Sequence, residues 1–171
     1  MTESAPYAKQ NSALIAYRRI EHSFDRVFGD ALNPWRHLGA LGFLLFWIVA
    51  LTGLYLYAVL DTSVDGVYRS INWLSREQWY LGGALRSLHR YAADAFVLVT
   101  LLHLAREFLL GRYTGFRHFS WLTGVPLLWF IYISGVVGIW LRWDQLAQFS
   151  AAANAEWLDW LPVFATPLIR N

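Results

Sequence analysis

Three stretches of this chain are apolar over the length of a membrane crossing, and polar residues gather in the segments between them. Residues 38–60, "LGALGFLLFWIVALTGLYLYAVL", carry no charge over 23 positions, and residues 119–141, "FSWLTGVPLLWFIYISGVVGIWL", carry none over another 23. A hydrocarbon core of about 30 Å needs roughly 20 such residues in a helix. Residues 85–110 form a third stretch of this length, but His89, Asp94 and His103 lie inside it. Upstream, Tyr17, Ile20, Phe24 and Val27 recur at helical spacing, with Arg18, Arg19, Glu21 and Asp25 between them. That pattern predicts an amphipathic helix on a membrane surface. A short soluble helix packed on a partner has the same periodicity. "NPW" at residues 33–35 turns the chain into the first span, because proline ends the helix before it and tryptophan suits the interface.

These elements predict an all-α protein, an integral membrane helical bundle with three transmembrane helices at about 36–60, 85–110 and 119–141. A polar N-terminus and the amphipathic surface helix occupy 1–33, and the transmembrane domain occupies 34–171. Residues 1–12 predict no ordered element. The run that begins at Arg142 is too polar to cross and predicts short surface helices. The opening "MTESAPYAKQ" has no short apolar stretch behind it, so no signal peptide is expected.

Composition narrows the class. Only 15% of the 171 residues are charged and 57% are hydrophobic, whereas about a quarter of a soluble domain is charged. A net charge of +2 gives no basic surface for nucleic acid. Cysteine is absent, which excludes disulfides, thiolate metal sites, iron–sulfur clusters held by this chain and thioether-linked haem. Lysine and arginine favour one side of the expected topology: Lys9, Arg18, Arg19, Arg26, Arg36, Arg106, Arg112 and Arg117 against the remaining six. This bias places the N-terminus in the cytoplasm, most simply that of a bacterium with the chain in its inner membrane.

The second stretch, "LRSLHRYAADAFVLVTLLHLARE", holds the chemistry. His89 and His103 are fourteen residues apart, about 21 Å along a helix axis at 1.5 Å per residue. Fourteen steps of about 100° return nearly to the same face, so both imidazoles point one way, one near each side of the membrane. A neutral imidazole can bind haem iron through one ring nitrogen. Arg86 lies three residues before His89 and Arg106 three after His103. Each is displaced toward water, where a guanidinium can neutralise the carboxylates of a haem set edge-on in a bundle. The first span carries Gly39 and Gly53, and the third carries Gly124 and Gly138, both pairs again fourteen apart. A glycine facing inward lets a flat macrocycle approach the backbone, because no Cβ intrudes. Histidines hydrogen-bonding between helices, snorkelling arginines and small residues at helix contacts would explain each feature singly. They do not predict one period shared by three helices.

Those residues resemble the N-terminal half of cytochrome b, the haem subunit of quinol–cytochrome c reductases and their chloroplast relatives. The matching text is "HLGALGFLLFWIVALTGLYL", "LRSLHRYAADAFVLVTLLHLARE" and "WLTGVPLLWFIYISGVVGIWLRWDQ", with weaker similarity through "WLPVFATPL". The resemblance implies two b-type haems, one bound by His89 near the outer face and one by His103 near the cytoplasm. It implies propionate-binding roles for Arg86 and Arg106 and places Trp121 beside the cytoplasmic haem. It further implies electron exchange with quinone and quinol, and redox partner subunits of the iron–sulfur or cytochrome c type. A dimer is compatible with it.

Two departures stand out. In the family a fourth transmembrane helix gives each haem its second histidine, and the sequence stops at Asn171, where that helix should begin. His22, His37 and His118 lie at a surface helix or at span ends and cannot replace it. The expectation is a fragment, or another subunit that supplies the helix and its histidines. The family's Pro-Trp pair after the third span reads Arg142-Trp143 here, which puts a standard quinol-oxidising pocket in question. His37 stands where chloroplast-type relatives carry a haem-attaching cysteine. Histidine forms no thioether; it can ligate or border a bound cofactor or quinone, and an interfacial histidine at a helix start is the simpler account. The chain therefore reads as an electron-transfer subunit of a quinol-linked oxidoreductase complex rather than a complete enzyme. A cytochrome b membrane anchor for another dehydrogenase or iron–sulfur complex, and a haem-free structural subunit, are the alternatives the sequence leaves open.

Overall fold

The computed structural model describes residues 12–63 and 65–159. The expectations for residues 1–11 and for "WLPVFATPL" lie outside them. Among the described residues there are six α-helices and no strand: α1 (Ser12–Phe28), α2 (Leu38–Val59), α3 (Val67–Arg76), α4 (Ala84–Leu109), α5 (His118–Trp140) and α6 (Gln145–Asp159). A π-helical turn, Trp79–Gly83, leads into α4, and a 3-10 turn, Gly115–Arg117, leads into α5. The short link between α4 and α5 turns on Gly111 and Gly115, whose φ of 69° and 63° suit glycine.

Two helical segments, Leu38–Val59 and Gly115–Trp140, are long and apolar enough to cross a membrane. Their apolar side chains stay largely uncovered by the rest of the chain: Leu51, Leu54, Trp129 and Phe130 are each more than half exposed. α4 has 26 residues, about 39 Å of helix, but its interior carries the charges that set it apart from the other two.

The chain divides into two compact units. One comprises Met1–Leu45 with Phe96–Leu128, the other Phe46–Ala95 with Trp129–Asn171. In the first, α1 is fastened by the segment that follows it. Asn33, fully buried, donates through Nδ2 to the Glu21 carbonyl at 2.9 Å and to Asp25 Oδ1 at 2.6 Å, while its Oδ1 accepts the Trp35 amide at 2.9 Å. Arg36 clamps the Asp25 carboxylate at 3.1 and 2.8 Å. Hydrogen bonds from Arg36 and then from Asn33 hold Asp25 down to about 2. The apolar stripe of α1 splits. Tyr17 and Phe24 pack edge-on against Trp35, with ring centres 5.9 and 5.6 Å away, whereas Ile20 and Val27 remain 44% and 76% exposed. The exposed pair leaves an apolar strip of the kind an interfacial helix presents to lipid.

In the second unit α3 and the π-turn pack together around Leu74, which is fully buried. Gly82 is buried against the Leu74 side chain, so any larger residue would have to displace it. Asp144 Oδ1 caps α6 by accepting the Ala147 amide at 2.8 Å.

Candidate functional site

In the second unit, α2 brings the dipeptide Thr52-Gly53 against His89 of α4. A Cβ at position 53 would stand 3.0 Å from His89 Cε1, closer than carbon atoms pack, so glycine is what lets the imidazole lie on the α2 backbone. Thr52, 6% exposed, fixes the ring. Its hydroxyl lies 2.5 Å from the Ile48 carbonyl and 3.0 Å from His89 Nδ1. The hydroxyl has a single proton, and the carbonyl can only accept it. The Thr52 oxygen is then the acceptor for Nδ1–H, and in the neutral form of such a ring the lone pair lies on Nε2. That is the tautomer a metal-binding imidazole needs. Arg86, one turn earlier on α4, has its Nε buried with no hydrogen-bond partner among the described residues. A buried guanidinium nitrogen without an acceptor calls for an anion that the described chain does not supply.

The first unit repeats the motif with different surroundings. A Cβ at position 39 would stand 3.3 Å from His103 Cε1, so Gly39 seats His103 as Gly53 seats His89. No threonine accompanies it, since residue 38 is leucine. His103 Nδ1 is buried and unpaired among the described residues, and so is Trp121 Nε1. Trp121 packs against Phe108 and Tyr113, with ring centres 6.1 and 6.0 Å away. Arg106 departs most from its counterpart. Its Nε donates to Tyr17 Oη at 2.9 Å, Nη2 reaches Glu21 Oε1 at 3.4 Å and Nη1 reaches Glu107 Oε1 at 3.2 Å. Burial pushes the Tyr17 hydroxyl pKa up against the opposing pull of Arg106. Tyr17 therefore stays a neutral acceptor. Arg86 and Arg106, mirror images in the sequence, are one unsatisfied and one occupied.

Two single imidazoles, each on a glycine, could each give one ring nitrogen to the metal of a cofactor. Among the described residues no group of three or more His, Cys, Asp or Glu side chains could enclose a bare metal ion. Comparison with known protein families agrees with that chemistry: residues 24–171 match the model of the family described as Cytochrome b/b6/petB. The chain belongs to the cytochrome b family. It is therefore a b-type cytochrome, a haem-binding, membrane-integral subunit of multi-subunit redox complexes that works in electron transport. Quinone and a respiratory chain are typical of the family.

In this cytochrome b the four glycines of the shared fourteen-residue period do not behave alike. Gly39 and Gly53 meet histidine rings. A Cβ at Gly124 would meet only Leu104 Cδ1, at an ordinary 3.6 Å, and one at Gly138 would meet nothing within 4 Å among the described residues. The close approach expected of a macrocycle is made, in the first two cases, by the imidazole itself. Arg142, in place of the family's proline, lies 3.9 Å from Asp144 Oδ2 and is 36% exposed. Trp143 after it has a φ of 50°, so this link turns through a left-handed residue. His37 Nε2 lies 3.0 Å from the Ala31 carbonyl, and His118 Nδ1 lies 2.9 Å from the Tyr113 carbonyl, so both bond to nearby backbone.

Thr52, Tyr17 and Glu21 were not singled out from the sequence as site residues. A threonine beside Gly53, with leucine before Gly39, was the available signal for the first. The other two reach Arg106 across 89 and 85 residues of chain, a separation no local pattern reveals.

Proposed function

We propose that this cytochrome b subunit holds two b-type haems, one at His89 and one at His103, and passes electrons across the bilayer between them while exchanging electrons with quinone. The repeated glycine–histidine pair carries the reading: α2 and α4 both use a fourteen-residue interval, and each compact unit contains one pair. A b-type haem, when bound, supplies the one-electron carrier. His89, through Nε2, and His103, through a ring nitrogen, would hold the haem iron. Arg86 offers its buried Nε to a propionate. Arg106, already bonded to Tyr17 and Glu21, would hold a propionate only beside or in place of the Glu21 carboxylate. The open face at Gly138 leaves room for a flat group, Gly124 keeps only an ordinary contact with Leu104, and Trp121 has a buried, unpaired Nε1 to offer near His103. α4 is the third transmembrane helix in this reading, with Arg86 and Arg106 toward its two ends and the N-terminus of the chain in the cytoplasm of a bacterium. The second axial nitrogens come from another helix, in this protein or in a partner subunit. An iron–sulfur or cytochrome c type subunit exchanges electrons with the complex.

The test is the haem stoichiometry of the purified native complex. Two non-covalent b haems per copy of this subunit are expected by pyridine haemochrome assay, and one or none overturns the proposal.

Replacing Thr52 with valine keeps the shape and removes the acceptor for Nδ1–H. Loss of a ligand-orienting hydrogen bond costs about 10- to 100-fold in metal affinity in other sites. Thr52→Val is expected to weaken haem retention at His89 by at least about tenfold and leave the His103 haem in place. Competition of each variant with apomyoglobin for haem measures it, and equal retention at both sites contradicts the tautomer argument.

Arg142 favours a second reading, a cytochrome b anchor that passes electrons between quinone and another dehydrogenase without splitting the pair. Electrons delivered to the extramembrane acceptor per quinol oxidised in a single turnover, before any electron returns to quinone, distinguish the two: one if the pair is split, with the other left on the haems, and two if it is not.

A further inference from the structure

α4 presents two unlike sides in the second unit. His89 and buried Ala92 face inward. Ser87, Tyr91 and Asp94 are exposed, and at about 100° per residue they share a face. Asp94 lies about 140° around the helix from His89, so it does not belong to the histidine site. It is ten residues from the start of α4 and fifteen from its end, about 15 and 22 Å along the axis. That is mid-span if α4 crosses the membrane. Among the described residues Asp94 has no ion pair within 4.0 Å and no side-chain hydrogen bond, and Arg90, one turn earlier on the same side, is not paired with it. An intramembrane carboxylate is rare, and it nearly always faces the bundle interior or a water-filled cavity and finds a partner there. Here the chain's own described residues provide neither burial nor a donor.

We propose that the Asp94 face of α4 is the docking surface for a transmembrane helix of another subunit, one that presents a lysine or arginine at mid-span to the Asp94 carboxylate. Charge complementarity selects this occupant. An apolar helix would seal the carboxylate against hydrocarbon without a donor, whereas a basic side chain supplies both the charge and the hydrogen bonds. Tyr91, 70% exposed one turn away, gives the partner an amphipathic ring to pack on. The contact is separate from any helix that brings second histidines, because those must approach the opposite side of α4. The inference rests on the reading that α4 crosses the membrane.

The experiment uses the native complex with this subunit at its normal stoichiometry. The chain has no cysteine, so single cysteines at Asp65 and Thr114 report topology cleanly. Labelling from opposite sides of the membrane establishes that α4 crosses, and labelling from one side would sink that underlying reading instead. With topology established, Asp94→Leu is expected to lower the yield of assembled complex on native gels at least fivefold, and Asp94→Asn to lower it less. Leucine favours membrane insertion, so insertion failure cannot produce this loss. Unchanged or higher yield with Asp94→Leu means the carboxylate has no partner and overturns the proposal. Arg90→Leu or Arg170→Leu reproducing the loss means that this chain supplies the cation, and overturns it too. Finally, p-benzoylphenylalanine at Tyr91 is expected to cross-link to one subunit of the purified complex, within a transmembrane segment that contains lysine or arginine. Adducts with lipid alone, or with a segment lacking a basic residue, overturn it.

Discussion

His89→Ala and His103→Ala are each expected to remove one haem from the assembled complex. About half of the reduced-minus-oxidised b absorbance should disappear in each single variant and nearly all of it in the double variant. On the proposed reading the imidazole is the group this chain offers to each iron, and alanine puts nothing in its place. The two losses should also differ spectrally, because the surroundings differ: Thr52 and an unsatisfied Arg86 on one side, Trp121 and an occupied Arg106 on the other. Either variant keeping both haems with unchanged spectra would show that the ligand lies elsewhere.

Leucine at the glycines should separate two mechanisms. A side chain at Gly53 or Gly39 collides with an imidazole that the protein itself places 3.0 or 3.3 Å from the new Cβ. Overpacking of this kind costs about 1–3 kcal/mol, and here it also moves the ligand. Gly53→Leu should therefore abolish the His89 haem, and Gly39→Leu the His103 haem, while each also lowers the melting temperature of the haem-free chain. Gly124 and Gly138 have no such neighbour. Gly138→Leu should disturb the His89 haem and Gly124→Leu the His103 haem without lowering the melting temperature of the haem-free chain. Optical spectra read against thermal melts in detergent measure both quantities. Four equal losses at both haems would mean general misfolding.

Much of the helical scaffold is legible in the hydrophobic pattern, because uncharged runs of this length leave few other options. α2 and α5 begin and end within one residue of the uncharged runs 38–60 and 119–141, and α4 does so for 85–110, where five charged residues interrupt the apolar pattern. α3 is not legible in the same way. Its segment reads as polar and tryptophan-rich, and ten residues give an amphipathic period little room to emerge. For the site, the spacing of glycines and histidines stands in the sequence, but its physical reason does not. Periodicity says that Gly53 and His89 share a face, not that the imidazole itself fills the space a Cβ would take. The sequence also presents Arg86 and Arg106 as equivalents. Their difference comes from α1, whose Tyr17 and Glu21 arrive from a distant part of the chain and occupy one of them.

The Thr52 hydrogen bond bears on the order in which the subunit matures. A ring held in one tautomer and one orientation before any cofactor arrives has already lost its rotational freedom during folding. His103 is packed on Gly39 in the same way, but its buried Nδ1 has no partner among the described residues, so no hydrogen bond sets its tautomer. On the proposed two-haem reading, haem would meet one imidazole whose tautomer Thr52 has already set and one without such a partner, which favours capture at His89 first.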